Sequence, residues 1–460
     1  MTPVSSTALP KGLPALDAES ERHGRAMEAH LRGLIQSAAD RCLPFEQWMD
    51  QALYAPGLGY YAAGNTKFGG GLPTGDFTTA PELTPLFGWT LARQVAQVLR
   101  ASGSAKVLEF GAGSGALAAA LIPALRSLGL DPQYQILEVS ADLKARQRRR
   151  LAPFGDSVAW LDELPSAFSG CVLANEVLDA MPVALFQWND DGELMELGVS
   201  LGAEPVADDF AHAGRVGSDA ADAVEQPTVR PAGAKSARHA EPADTTSAGG
   251  ASPFVLAARN ASPMLKQAVA QRMPPLPGYR SEINMRAEAW VRQMGGWLQR
   301  GAALLIDYGF PQREYYHPQR KEGTLMCHFR HHAHGEPLIH AGLQDITAHV
   351  DFTAMADAAL EGGLDVLGYT SQARFLMNAG LAEVLAESSA ALQDNATSDA
   401  AGRDSTSSAL AASATAQSLG AIQKLVSEAE MGELFKVLAI GRDIDEPLIG
   451  FQRGDRRDRL

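Results

Sequence analysis

The residues best placed to contact a ligand form a glycine-rich turn after a short apolar stretch. The turn reads Glu109-Phe-Gly-Ala-Gly-Ser-Gly115 and overlaps the end of Lys106-Val-Leu-Glu-Phe110. Glycines are needed where a backbone turns tightly and where a ligand approaches it closely. Dinucleotide-binding turns have the spacing Gly-x-Gly-x-x-Gly, because the pyrophosphate lies on the N-terminus of the next helix. Here the third glycine comes one residue early, which predicts a cofactor without phosphate whose ammonium group faces Glu109.

A second acidic residue follows the next apolar stretch. Glu138 comes directly after Tyr134-Gln-Ile-Leu137, and a carboxylate at that point can accept hydrogen bonds from both hydroxyls of a ribose. The alternative interpretation is an ordinary surface acid at the end of a strand. Asp162, after a third apolar stretch, is the candidate for the adenine amino group. Amino acid, ribose and adenine together predict S-adenosyl-L-methionine. Its predicted ligands are Glu109, Gly111, Ala112, Gly113, Gly115, Glu138, Val139, Asp162 and Asn175.

A fourth apolar stretch ends in Asn175-Glu-Val-Leu-Asp-Ala-Met-Pro182, where a substrate would meet the methyl group of the cofactor. Carboxylates there can hold a guanidinium in bidentate fashion or orient an amine for attack. Methyl transfer from a sulfonium mainly requires alignment of the reacting atoms. We therefore predict that Glu176 and Asp179 are catalytic and hold the substrate. The alternative is a polar loop cap without a catalytic role.

Histidines are frequent between Cys327 and His349. A zinc site is conceivable from the residue types, but no pair has both the separation and the neighbouring acid of a catalytic zinc helix. We predict no metal, and we interpret these histidines as polar residues of a substrate loop.

Strand-like and helix-like stretches alternate from Lys106 onward. Apolar stretches typical of strands begin at Lys106, Tyr134, Val158, Cys171, Ala302 and Leu434. Helical spacing of apolar residues follows the first two, in Ala116–Leu128 and Asp142–Leu151. This alternation predicts an α/β fold with a mostly parallel, Rossmann-like sheet covered by helices on both faces. More helices are predicted ahead of it, near Met27, at Phe45–Leu53 and at Pro85–Arg100.

Composition marks the predicted boundaries. Residues 203–252 and 388–417 are rich in small and polar residues, and such segments cannot bury enough apolar surface to offset their ordering entropy. The predicted regions are a disordered lead at 1–22, N-terminal helices with a glycine-rich cofactor lid at 23–100, the first part of the cofactor-binding core at 101–202, a disordered insertion at 203–252, the core continuation at 253–309, a substrate-side region at 310–417 with low complexity at 388–417, and a closing helix, strand and tail at 418–460.

Charge and cysteine content narrow the function classes. The chain has 54 acidic and 39 basic residues, a formal net charge of −15, which makes nucleic acid a poor default partner. Its three cysteines lack metal or disulfide spacing, which indicates a reducing compartment, and we expect the cytoplasm. No apolar run is long enough to predict a membrane span.

Seven blocks together resemble the MidA-type methyltransferases. They are Gly75–Glu82, Glu109–Gly115, Leu137–Ser140, Ala174–Pro182, Ile306–Gly309, Asp345–Phe352 and Met431–Phe435. The resemblance implies a seven-stranded class I methyltransferase core with an added substrate-side region. It implies that Gly111, Gly113 and Glu138 contact S-adenosyl-L-methionine, and that the Gly75–Glu82 loop closes over the cofactor with Asp76 and Thr78 facing the site. We count Asp76 with the catalytic residues, and Thr78, His349 and Asp351 with the substrate-binding residues.

The mitochondrial member of that family methylates an arginine on a subunit of respiratory complex I. The resemblance therefore implies a protein substrate that presents a basic side chain, and the acidic turn at Asn175–Asp179 suits such a side chain. Three other functions stay open at this point: a small-molecule methyltransferase, a non-catalytic assembly factor that only binds, and an NAD-dependent oxidoreductase on a similar sheet. The substrate and the oligomeric state do not follow from the sequence.

Overall fold

The structure is a computed structural model that describes residue 10 and residues 12–38, 40–63, 79–202, 252–398 and 419–460. Asp76 and Thr78 lie outside the described residues. So do nearly all of the predicted insertion and most of the predicted low-complexity segment.

The strands, in chain order, are β1 (Leu43–Pro44), β2 (Lys106–Phe110), β3 (Gln133–Leu137), β4 (Val158–Leu161), β5 (Phe168–Asn175), β6 (Ala184–Trp188), β7 (Leu194–Leu201), β8 (Phe254–Asn260), β9 (Arg280–Ile283), β10 (Leu298–Phe310), β11 (Met326–Phe329), β12 (His332–His334), β13 (Asp345–Thr347), β14 (Val350–Asp351), β15 (Asp365–Ser371) and β16 (Phe435–Arg442).

The helices are α1 (Ala18–Ser37), α2 (Phe45–Tyr54), α3 (Ala80–Leu83), α4 (Pro85–Ser102), α5 (Ala116–Ser127), α6 (Ala141–Leu151), α7 (Pro263–Ala270), α8 (Met285–Trp297), α9 (Gln312–Tyr315), α10 (Phe352–Glu361), α11 (Gln372–Asn378), α12 (Leu381–Ser398), α13 (residues 419–426) and α14 (Met431–Leu434).

The largest sheet runs in the order β15-β16-β10-β5-β2-β3-β4, with β14 added at the end of β10. The five strands from β10 to β4 are parallel, whereas β16 is antiparallel to both of its neighbours. Helices α4 and α5 pack on one face of the sheet, and α8 and α10 pack on the other. The predicted α/β fold with a mostly parallel seven-stranded sheet is confirmed, and the carboxyl ends of its parallel strands meet at one edge.

A second, antiparallel sheet contains β1, β6, β7, β8 and β9. This corrects the predicted boundaries, because residues 184–201 and 254–283 were assigned to the cofactor-binding core. The short connection between β6 and β7 makes them an antiparallel pair, whereas parallel neighbours need a longer crossover. Helices α1 and α2 pack on this sheet together with the small sheet β12-β11-β13.

The N-terminal lead is also shorter than predicted. Helix α1 begins at Ala18 because the Asp17 carboxylate accepts hydrogen bonds from the backbone N–H groups of Glu19 and Ser20. The Arg330 guanidinium, 2.7 Å from Asp17, adds an ion pair that holds this end. At the other predicted segment, α12 continues through Ser398 and so includes the first eleven residues of the segment 388–417.

Within the residues that the structure describes, no helix is both long enough and apolar enough to cross a membrane.

Candidate active site

The glycine-rich turn connects β2 to α5 at the carboxyl edge of the main sheet. Gly111, Gly113 and Gly115 have φ angles of 58°, 53° and 83°, in the left-handed region that side chains disfavour. The Gly111 N–H donates a 3.1 Å hydrogen bond to the carbonyl of Leu137, which joins the turn to the end of β3. A Cβ atom at Gly113 would meet no heavy atom within 4 Å. There is therefore open space directly beside the turn.

Glu138, at the end of β3, is held by two donors. Its Oε1 accepts from the Ser140 N–H and its Oε2 accepts from the side-chain amide of Gln147, both at 2.9 Å. The same Gln147 nitrogen donates to the Gly113 carbonyl at 2.9 Å, and Gln147 Oε1 accepts from the Trp160 indole at 3.0 Å. Burial raises the pKa of Glu138, and these donors oppose that shift. Gln147 thus fixes both the carboxylate and the turn.

Sequence reasoning did not single out Gln147. A signal was present, because Gln147 lies on the same helical face as Leu151, four residues later, and is fully buried in α6. A polar side chain on the inward face of a helix needs hydrogen-bond partners, and here the partners are the turn and the candidate ribose ligand.

Glu109 lies deeper than its predicted role suggests. Glu109 as a whole is 3% exposed, and its carboxyl group accepts a 2.8 Å hydrogen bond from the Tyr134 hydroxyl. Burial raises the pKa of Glu109 to about 8, although the bond from Tyr134 opposes the shift. The Glu109 side chain is thus held by Tyr134, and its contact with a cofactor ammonium stays a prediction.

Two further predicted cofactor ligands, Val139 and Asp162, lie at the exposed edge of the site. Val139, directly after Glu138, is 78% exposed, and an apolar side chain there is suited to the face of an adenine ring. Asp162 is exposed too, but its carboxylate pairs with the Lys144 ammonium at 2.8 Å. That ion pair lowers the pKa of Asp162. Asp162 is therefore engaged with a neighbouring side chain, and its contact with adenine stays a prediction.

The turn after β5 brings together the predicted amide and carboxylate. The Asn175 side-chain nitrogen donates to Glu176 Oε1 at 3.1 Å. Glu176 has a φ of 54°, an uncommon conformation for a residue with a side chain and one that clusters at functional sites. The Ala80 N–H, at the start of α3, also donates to the Glu176 carboxylate. Burial is the main cause that raises the pKa of Glu176 to about 8, and Asp179 adds to it.

Asp179 is held by two residues near the carboxyl end of β10, Asp307 and Tyr308. Asp307 Oδ2 accepts from the backbone N–H groups of Leu178 and Asp179 at 3.0 and 3.2 Å, while the Tyr308 hydroxyl donates to the Asp179 carboxylate. Burial raises the pKa of Asp179 to about 6, and the hydrogen bond from Tyr308 opposes the shift. Burial and the charges of Asp179 and Glu176 raise the pKa of Asp307 well above its usual range. Asp179 Oδ1 is buried without a hydrogen-bond partner.

Asp307 and Tyr308 belong to Ile306–Gly309, one of the blocks that carried the family resemblance, but no role was predicted for them. Their position beside Asp179 depends on the parallel pairing of β10 with β5, in which Ile306 lies opposite Asn175.

His349 and Asp351 separate in the structure. The His349 ring stacks on Phe310 with centroids 5.2 Å apart and contacts the edge of Tyr308 at 5.0 Å. Burial lowers the pKa of His349 to about 4, so its ring is neutral. Asp351 instead caps α10, because its Oδ1 accepts from the N–H groups of Thr353 and Ala354. Asp351 Oδ2 has no hydrogen-bond partner, and the substrate-binding role of Asp351 stays a prediction.

Among the described residues, no group of three or more His, Cys, Asp or Glu side chains is arranged to hold a metal ion.

Comparison with known proteins decides the family. A family model described as S-adenosyl-L-methionine-dependent methyltransferase matches residues 90–370, more than half of the chain. The chain belongs to this methyltransferase family. The family resemblance inferred from the sequence is thereby confirmed, and so is S-adenosyl-L-methionine as the cofactor.

Two solved structures are similar to this chain over nearly its whole length. A superfamily member from Burkholderia thailandensis, crystallised with S-adenosyl-homocysteine, is 41% identical with a TM-score of 0.76, covering 98% of this chain and 100% of that one. A second structure from the same organism is 42% identical with a TM-score of 0.75 and the same coverage.

Relatives with names that state a substrate are more distant. The protein arginine methyltransferase NDUFAF7 homolog of Drosophila melanogaster, a mitochondrial protein, is 25% identical over 401 residues, covering 80% of this chain and 78% of the relative. The human mitochondrial protein arginine methyltransferase NDUFAF7 is also 25% identical, over 386 residues, covering 77% and 73%.

The site fits the cofactor. The open space beside Gly113, the fixed carboxylate of Glu138 and the exposed apolar Val139 lie on consecutive loops at one sheet edge. These features match the amino-acid, ribose and adenine parts of S-adenosyl-L-methionine without a phosphate site.

Proposed function

We propose that this methyltransferase transfers a methyl group from S-adenosyl-L-methionine to an arginine side chain of a protein. The observation that carries the proposal is the acidic cluster of Glu176, Asp179 and Asp307 beside the cofactor edge of the sheet. Among the described residues, none of these three carboxyl groups forms a salt bridge with a lysine or arginine of the chain. Such a cluster favours a cationic ligand, because buried carboxylates are costly unless they are paired.

On the cofactor side, we propose that Glu138 accepts the ribose hydroxyls while Gln147 keeps the carboxylate in place. Gly113 leaves room for the amino-acid part, and Val139 contacts the adenine. The bound cofactor supplies an electrophilic methyl group on a sulfonium, and the protein contributes mainly alignment.

On the substrate side, we propose that Glu176 and Asp179 hold the guanidinium. Paired hydrogen bonds from a guanidinium to a carboxylate fix its plane as well as its position. The nitrogen that gains a methyl group must also lose one proton. Asp179 Oδ1, which is buried without a hydrogen-bond partner, is the acceptor that we propose for this proton. The names of the arginine methyltransferase relatives support this substrate class.

The proposal is tested by labelling. The purified protein is incubated with S-adenosyl-L-methionine carrying a labelled methyl group and with peptide libraries that contain arginine or, in a matched set, lysine. We expect label only on the arginine library, recovered as methylarginine after hydrolysis. Glu176→Gln should abolish labelling and keep S-adenosyl-homocysteine binding. Label recovered only on lysine or on small molecules would reject arginine, and cofactor binding without transfer to any acceptor would favour an assembly factor.

A further inference from the structure

Two stacked tyrosines lie between the acidic turn and a second carboxyl group. Tyr54, the last residue of α2, stacks on Tyr61 with ring centroids 5.5 Å apart and an interplanar angle of 20°. The Tyr54 hydroxyl donates a 2.9 Å hydrogen bond to the carbonyl of Ala180, in the turn that carries Asp179. This aromatic pair therefore adjoins the proposed substrate carboxylates, although it comes from the N-terminal helices.

The other end of the pair is fixed by Asp345 of β13. Asp345 is fully buried, and its Oδ1 accepts a 2.9 Å hydrogen bond from the Tyr61 hydroxyl. The Ala348 N–H, three residues later, donates to the Asp179 carbonyl at 2.9 Å. The β13 segment and the tyrosine pair therefore reach the same turn from two directions.

The charges around the two tyrosines are negative, which favours a cation beside them. Asp345 and Asp179 both raise the pKa of Tyr54 and of Tyr61, beyond the larger effect of burial. Asp345 also contributes to the raised pKa of Glu176. The rings thus lie in a region of negative potential, where a cation is favoured on an aromatic face.

We propose that Tyr54 and Tyr61 form an aromatic wall against the face of the substrate cation, and that Asp345 is a positioning residue that orients Tyr61 and adds negative potential behind it. The inference rests on the proposed function and deepens it. Glu176 and Asp179 would pair with the edge of the guanidinium, while the tyrosines would pack on its plane. A planar guanidinium satisfies both contacts, whereas the compact ammonium of lysine lacks such a plane.

A merely structural role for these residues makes different predictions. If Tyr61 and Asp345 only held α2 to β13, their substitution would affect charged and uncharged ligands alike. If they recognise a cation, the loss depends on the charge of the ligand. The test therefore compares ligands as well as variants.

The experiment is calorimetric titration of the protein saturated with S-adenosyl-homocysteine, using Nα-acetylarginine methylamide as the probe. The lysine analogue and the uncharged citrulline analogue are titrated in parallel. We expect the wild type to bind the arginine probe most tightly and the citrulline probe weakly. Tyr61→Leu should weaken binding of the arginine probe about tenfold, a loss between those of exposed and of fully desolvated cation–π contacts. Binding of the citrulline probe and of S-adenosyl-homocysteine should change less than about twofold.

Two matched variants distinguish the contribution of the Tyr61 ring from that of the Asp345 charge. Tyr61→Phe keeps the ring and should weaken binding of the arginine probe only about twofold. Asp345→Asn keeps an acceptor for the Tyr61 hydroxyl but removes the charge, and should weaken the arginine probe about threefold with no effect on the citrulline probe. If Asp345→Asn does not fold, Tyr61→Leu and Tyr61→Phe decide the matter, because both leave the Asp345 charge in place.

The possible outcomes are distinct. Equal affinity of the arginine probe for wild type and Tyr61→Leu would overturn the aromatic wall, as would equal losses for the arginine and citrulline probes. Absence of binding of both cationic probes to the saturated wild type would also overturn it. A wild type that prefers the lysine probe, with that preference lost in Tyr61→Leu, would reject arginine as the substrate but support the wall. Failure of S-adenosyl-homocysteine to bind would instead contradict the proposed function.

Discussion

The side-chain amide of Gln147 donates a 2.9 Å hydrogen bond to the Glu138 carboxylate, and the same nitrogen lies 2.9 Å from the Gly113 carbonyl oxygen. One buried residue of α6 therefore ties together the loops after β2 and β3. Because the parallel pairing of those strands sets only their backbones, the orientation of the Glu138 carboxylate depends on this amide together with the Ser140 N–H.

Gln147→Leu should weaken S-adenosyl-homocysteine binding about tenfold in a calorimetric titration. The leucine cannot donate to Glu138 or Gly113, and a lost hydrogen bond to a charged group costs about 1.5–3 kcal/mol. The matched control is Arg149→Ala, an exposed position on the same helix. Adenosine and 2′,3′-dideoxyadenosine provide the decisive pair of ligands. An equal loss for both would contradict a role in orienting Glu138 toward ribose hydroxyls.

Gly113→Val should abolish binding of the cofactor while the protein still folds. A side chain at a φ of 53° costs about 1–2 kcal/mol and fills the open space beside the turn. Gly103→Val is the matched control, because Gly103 has a φ of 64°, also meets no neighbour within 4 Å, and lies at the end of α4. Thermal unfolding should show similar losses of stability in both variants. Undiminished binding of S-adenosyl-homocysteine by a folded Gly113→Val protein would reject the assignment of this turn.

Local signals account for what the sequence could predict. Strand β2 lies at Lys106–Phe110, as predicted, because the apolar stretch and the following glycines are adjacent in the chain. The placement of Asn175, Glu176 and Asp179 in one turn follows for the same reason. Strand β15 was not predicted, since its position depends on antiparallel pairing with β16, more than sixty residues later.

The site residues that were missed depend on tertiary structure. Asp307 and Tyr308 reach Asp179 only because β10 pairs with β5, although more than 120 residues separate them in sequence. Asp345 reaches Tyr61 across an even longer separation. No local pattern indicates such contacts, because they are set by which strands and helices pack together.

Catalytic efficiency should rise with pH between about 6 and 8 if Glu176 and Asp179 bind the cation as carboxylates. The raised pKa values, about 8 for Glu176 and about 6 for Asp179, mean that below pH 6 Glu176 is almost completely protonated and Asp179 is mostly protonated. The stability of the ligand-free protein should change with pH in the opposite direction. A carboxyl group with a raised folded pKa stabilises the protein at low pH, and this contribution is lost as the pH rises through the folded pKa.

The measurement is kcat/KM for an unmethylated arginine peptide that accepts label, across pH 5.5–9, together with thermal unfolding of the ligand-free protein over the same range. Glu176→Gln should flatten the pH dependence of stability near pH 8, because glutamine does not titrate. A pH profile of kcat/KM that falls from pH 6 to 8 would contradict the binding of a cation by these carboxylates.

Tyr308→Phe should shift the low-pH side of the kcat/KM profile, the acidic limb, to higher pH. The Tyr308 hydroxyl donates to the Asp179 carboxylate and opposes the effect of burial on its pKa. Without that donor, the pKa of Asp179 rises, and a higher pH is needed to ionise it. The maximal rate above the limb should change little, since the ring of Tyr308 and its contact with His349 remain. A purely structural role would instead lower the rate at every pH.

The matched control for this prediction is Tyr315→Phe. It removes the buried 2.8 Å hydrogen bond from the Tyr315 hydroxyl to Glu282, in a different part of the fold, and should leave the low-pH side of the kcat/KM profile in place. A Tyr308→Phe profile that superimposes on the wild-type profile would show that this hydrogen bond does not set the ionisation of Asp179.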